Sequence, residues 1–123
     1  MSKNPVCWFE IYVEDMQRAR RFYEAVFQVS LQRINNPEIE MWGFPADMGS
    51  YGACGSLVKM EGKDPGSGCT IVYFSCDDCA VEAGRIQASG GRIHKEKMSI
   101  GEYGFMALAF DTEGNRIGLH SMR

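Results

Sequence analysis

With 123 residues, a formal net charge of −3 and hydrophobic residues making up 45% of the chain, the sequence suits one domain that buries its own core without staples. The acidic balance argues against a nucleic-acid partner, so Arg18, Arg20 and Arg21 read as the solvated face of a helix. No apolar run approaches the roughly 18 residues of a membrane span, and the start M-S-K-N-P lacks the apolar core of a secretion signal, so a soluble, cytoplasmic protein with no membrane partner is expected.

The first element alternates from Val6, with Phe9, Ile11 and Val13 on one side and Trp8, Glu10 and Tyr12 on the other, which predicts a strand. The period then changes. Glu14 and Asp15 offer an N-cap, and Ala19, Phe22, Tyr23, Val26 and Phe27 fall on one face of a helix. Val29 to Ile34 alternates as a short strand, Asn35, Asn36 and Pro37 turn, and Ile39 to Phe44 resumes strand character as a hairpin. Pro45 to Gly52 reads as loop and Ala53 to Met60 as a strand, in which Gly55 eases a close backbone approach or marks a bulge.

Glu61 to Gly68, E-G-K-D-P-G-S-G, has linker composition, and beyond it the opening pattern returns. From Thr70 the run T-I-V-Y-F-S-C-D-D-C puts Ile71 where Trp8 stood, Tyr73 where Glu10 stood and Asp78 where Asp15 stood. A strand from about Cys69 to Cys76 and a helix from about Cys79 to Ala88 lead to a Gly90-Gly91 stop. Strands over Arg92 to Glu96, Tyr103 to Phe110 and Arg116 to Ser121 follow, the last two joined by the turn D-T-E-G-N. The expectation is an α+β fold in a single domain. Module one (about 5–60), the linker (61–68) and module two (about 69–121) give two βαβββ modules, whose curved mixed sheet forms a cup with the helices outside.

The segments I-Y-V-E-D-M-Q-R-A-R-R-F-Y-E-A-V-F and D-T-E-G-N-R-I-G-L carry V-x-D, F-Y-x-x-x-F and D-x-x-G-N-x-x-x-L signatures. On these the chain resembles, along essentially its whole length, the vicinal oxygen chelate superfamily of glyoxalase I, bleomycin-resistance proteins and extradiol dioxygenases. The resemblance implies the paired-module fold and a homodimer, and in the family's enzymes a divalent metal held by His, Gln or Glu at inward points on four strands. Carried onto this sequence, three of those points are Trp8, Ile71 and Gly118, and the fourth lies near Gly55, where no His or Glu stands between Tyr51 and Met60. An indole, an isoleucine and a glycine supply no donor, so neither metal nor any other cofactor is expected.

Strand parity puts Glu10 beside Trp8 on the presumed cup face, where a carboxylate needs a hydrogen-bond partner or wet surroundings. Glu10 is therefore read as a general base or a hook for a ligand's amine or hydroxyl, or as a structurally paired Glu. His120 shares the face of Gly118 and is the candidate acid/base partner, with a satisfied surface histidine as the plain alternative. Trp8, Tyr12, Trp42, Tyr73 and Tyr103 are candidate aromatic lining or ordinary core. Parity places Trp8 and Tyr73, whereas Trp42 and Tyr103 depend on strand register. Five cysteines fit reduced thiols. In C-D-D-C, Cys76 falls on the helix side, and Asp77 and Asp78 disfavour a thiolate, so redox use of Cys76 and Cys79 is the lesser reading. The functional expectation is a protein that binds a small organic molecule in a metal-free cup. The alternative is a lyase or isomerase of glyoxalase type using Glu10 and His120.

Overall fold

The structure, a computed structural model, describes residues 4–47, 49, 51–59 and 70–123. Its chain forms two compact units, one of Trp8–Thr70 and one of Ile71–Arg123 joined by the N-terminal segment that ends at Cys7. Each unit follows the βαβββ order, so the α+β fold of two such modules stands. The linker stretch Glu61 to Gly68, together with Met60 and Cys69, lies outside the described residues.

In the first unit β1 (Val6–Tyr12), counted with the other unit as far as Cys7, leads to α1 (Met16–Phe27), β2 (Gln32–Ile34), β3 (Glu40–Gly43) and β4 (Cys54–Lys59). The strands stand in the order β2-β3-β4-β1, with β1 parallel to β4 and the other pairs antiparallel. Asp15 starts the helix: its backbone is extended and its carboxylate accepts the Arg18 N–H at 3.0 Å, satisfying a donor that the first turn cannot. Gln28 ends it in the left-handed conformation at φ 56°, the place where glycine is the usual residue.

The buried face of α1 follows from the spacing of its apolar residues. Met16 joins Leu31 and Leu57 in a core on which Ile11, Val13, Ala19, Tyr23, Trp42 and Phe44 pack. Glu24 fastens the return of the chain by accepting the Leu31 N–H at 2.8 Å. Gly55 is required by close approach, since a Cβ there would stand 2.3 Å from the Phe9 ring.

In the second unit β5 (Thr70–Ser75), α2 (Cys79–Ile86), β6 (Arg92–Ser99), β7 (Phe105–Phe110) and β8 (Arg116–Ser121) give the strand order β5-β8-β7-β6. Here β5 runs parallel to β8, and the remaining pairs are antiparallel. Asp78 caps α2 through the Ala80 N–H as Asp15 caps α1, and it also takes the Lys97 ammonium at 2.8 Å. Cys79 and Ala83 pack on Ala107 and Leu119, with Phe74, Cys76, Ile93 and Phe105 around them.

Several element boundaries differ from expectation, among them the start of β2, which lies at Gln32 rather than Val29. The helix α2 stops at Ile86 rather than Ala88, and β6 extends past Glu96 to Ser99 through two register shifts. Tyr103 is not in β7: it ends a 3-10 turn, Gly101–Tyr103, closed by the Gly104 N–H on the Gly101 carbonyl. Gly104 has φ 102°, which a strand start does not accommodate. Among the described residues no helix is long and apolar enough to cross a membrane.

Candidate functional site

Alternation along β1 sends Ile11 to the core under α1 and leaves Trp8, Glu10 and Tyr12 on the opposite face. There the Trp8 indole N–H donates to Glu10 Oε2 at 3.1 Å and the Tyr12 hydroxyl donates to Oε1 at 3.2 Å. An indole N–H only donates, so Oε2 is an acceptor, and the two aromatic side chains fix the plane of the carboxylate from either side along the strand. Tyr12 is buried, while Trp8 and Glu10 are half-buried. The result is an oriented carboxylate between two aromatic rings.

The parallel register sets Cys54, Ser56 and Val58 of β4 beside Trp8, Glu10 and Tyr12 in turn. Ser56, the neighbour of Glu10, is completely buried, and its hydroxyl has no hydrogen-bond partner. On its other side lies Gly43 of β3, which brings no side chain. Ser56 is the residue that the sequence did not single out. By the internal repeat it corresponds to Gly118, because Ser56 neighbours Glu10 as Gly118 neighbours Tyr73. The correspondence is offset by one position from that of the opening strands.

In the second unit Tyr73 and Ser75 of β5 neighbour Gly118 and His120 of β8. The Tyr73 ring lies across Gly118: a Cβ there would stand 2.2 Å from Tyr73 Cδ2, so the aromatic ring fills the space that a side chain at that position would need. His120 Nε2 approaches the Tyr103 carbonyl at 2.6 Å. A carbonyl only accepts, so Nε2 carries the proton and Nδ1 is the atom of the neutral ring with basic character.

Trp42 is placed differently from the expected aromatic lining. It belongs to the core under α1, with the Arg20 guanidinium 3.6 Å over its ring and its indole N–H on Glu40 Oε2 at 3.0 Å. Its register neighbour is the buried core residue Leu57, which puts it on the face opposite Glu10. Tyr103 is half exposed in its turn and reaches His120 through its backbone rather than its ring. Cys76 faces α2, and burial followed by the nearby Glu82 carboxylate pushes its thiol up to about 11. Such a thiol is a poor nucleophile at neutral pH.

The side chains at Trp8, Ser56, Ile71 and Gly118 do not fit a divalent metal. Trp8 offers an N–H already given to Glu10, Ile71 is a buried alkane, Ser56 is a neutral hydroxyl, and the place of a side chain at Gly118 is taken by Tyr73. Among the described residues no three His, Cys, Asp or Glu side chains are grouped to hold an ion.

A family model, Glyoxalase/Bleomycin resistance protein/Dioxygenase superfamily, matches residues 6–119. No curated protein matches the chain. Among solved structures, methylmalonyl-CoA epimerase from Mycobacterium tuberculosis superposes with a TM-score of 0.70 at 18% identity, over 97% of this chain and 88% of that one. A variant of Streptomyces coelicolor methylmalonyl-CoA epimerase in complex with 2-nitronate-propionyl-CoA gives 0.68 at 15% identity, over 98% of both chains. A hypothetical protein from Bacillus halodurans gives 0.74 at 9% identity, over 99% of this chain and 96% of that one. At these identities the likeness is one of fold alone.

Proposed function

The chain belongs to the Glyoxalase/Bleomycin resistance protein/Dioxygenase superfamily, and from that premise we propose that it binds a small organic molecule without a metal, using Glu10 as the polar hook. The observation that carries this reading is the carboxylate held between Trp8 and Tyr12. An acceptor fixed by two aromatic side chains suits a ligand with an ammonium or hydroxyl donor on an apolar body, because the rings supply contact area and the carboxylate supplies orientation. The chain's own acidic balance acts in the same direction, favouring a cationic ligand over a strongly anionic one. The protein works as a cytoplasmic homodimer in this reading, and light scattering of the purified protein tests its dimeric state.

Calorimetric titration of chelator-treated protein with phenethylamine and with phenylacetate tests the hook. The amine binds, the acid does not, and Glu10→Gln weakens the amine by about tenfold or more, the size of a lost charge-assisted hydrogen bond. Equal affinity of the two probes, or an unaffected Glu10→Gln, overturns the reading.

A second reading is lyase or isomerase chemistry, favoured by the fixed Nε2–H tautomer of His120 and by the fold shared with epimerases. In it Glu10 takes a proton from the carbon beside a carbonyl, and His120 stabilises or returns charge. Solvent deuterium entering a carbonyl substrate, and lost in both Glu10→Gln and His120→Gln, supports that chemistry. Exchange that survives both substitutions rejects it.

A further inference from the structure

Resting on the reading that the Glu10 face takes an organic ligand, we propose that Ser56 is its second polar anchor, donating its hydroxyl to an acceptor oxygen of the ligand while Glu10 accepts from the ligand's amine. Two independent observations meet at this residue. Ser56 stands beside Glu10 in the parallel register of β1 and β4, so the two side chains start roughly 5 Å apart on one face. Its hydroxyl is also wholly buried and has no hydrogen-bond partner.

Buried hydroxyls in folded proteins are paired, and one left alone is destabilising, so a serine kept at such a place points to a partner from outside the chain. The neighbouring strand offers none, because Gly43 has no side chain and the space over it is taken by Ile34, whose Cδ1 lies 3.0 Å from the position of a Cβ at Gly43. Because the hydroxyl is wholly buried, a ligand reaches it only by displacing what covers it. The ligand class follows from the spacing. A donor for Glu10 and an acceptor for Ser56 on adjacent carbons describe a 1,2-amino alcohol, with an aromatic or apolar body against Trp8 and Tyr12.

Phenethylamine and 2-amino-1-phenylethanol differ by that one oxygen, and titrating both into the full chain tests the assignment. Wild type binds the amino alcohol about fivefold more tightly, the value of one ordinary hydrogen bond. Ser56→Ala binds the two amines equally while melting, without ligand, at the wild-type temperature or above. Ser56→Cys, of similar size and with a weak donor, loses the preference as well. The assignment is overturned if either variant keeps the preference, or if Ser56→Ala lowers the ligand-free melting temperature, which would mean the hydroxyl is bonded within the protein. Equal binding of the two amines by wild type sinks this inference alone. Failure of phenethylamine to bind sinks the Glu10 reading and this one with it.

Discussion

Single residues decide what the chemistry here can be. At Gly118 the Tyr73 ring stands where a larger residue would project, so Gly118→Ala forces two groups into one space and costs about 1–3 kcal/mol. In a Tyr73→Ala background the same substitution costs much less, and a double-mutant cycle in urea measures the difference. Equal costs in both backgrounds would show that the ring does not occupy that space. Cys76, with its thiol raised from 9.0 to about 11, alkylates more slowly in the native protein than in the unfolded chain at pH 8, by about tenfold or more, because the loss of thiolate outweighs its greater nucleophilicity. Peptide mass spectrometry reads the ratio. Because the folded thiol holds its proton longer than the unfolded one, Cys76 also makes stability fall as pH rises from about 9 towards 11. The sequence identified Trp8, Glu10 and Tyr12 as one face because a seven-residue strand leaves little freedom of parity. It left the face of Trp42 open because β3 is four residues long, and a one-residue slip in so short a strand exchanges its faces.

The helix starts were legible as elements, since Asp15 and Asp78 each precede an apolar period, and both are caps. Hydrogen bonding lowers both carboxyl groups: chiefly the Arg18 N–H at Asp15, and the Lys97 ammonium ahead of the Ala80 N–H at Asp78. Groups depressed in the folded state stabilise above their unfolded value of 3.8 and lose that contribution as pH falls below it. Asp78→Ala therefore lowers the melting temperature at pH 7, by more than Asp15→Ala because it also releases Lys97. The difference from wild type narrows in acid, and thermal melts at pH 7 and pH 3 check both the rank and the trend. At the other end of α1, Gln28→Gly relieves a left-handed residue and stabilises by roughly 0.5–1 kcal/mol, read from chemical denaturation. The 3-10 turn before β7 was not legible, because Tyr103 continues the apolar run of Phe105 and only the positive φ of Gly104 breaks it.

For the whole molecule, the repeat was visible at the strand-helix starts, where Trp8 and Ile71, Glu10 and Tyr73, and Asp15 and Asp78 correspond. It failed at the closing strands because loops of different length shift the correspondence by one residue, which kept Ser56 from being matched with Gly118. The same repeat explains how one module presents a carboxylate and the other a tyrosine at equivalent places: duplication preserves backbone register and leaves side chains free to diverge. Membership of a superfamily rich in metal enzymes does not supply the donors that Trp8, Ser56, Ile71 and Gly118 lack. The most direct test of the central claim is titration of phenethylamine into chelator-dialysed protein, wild type and Glu10→Gln side by side. The account predicts saturable binding that is unchanged by added zinc, nickel or manganese and is about tenfold or more weaker in Glu10→Gln. Binding that vanishes with the chelator and returns with a divalent ion, or that ignores Glu10→Gln, would contradict it.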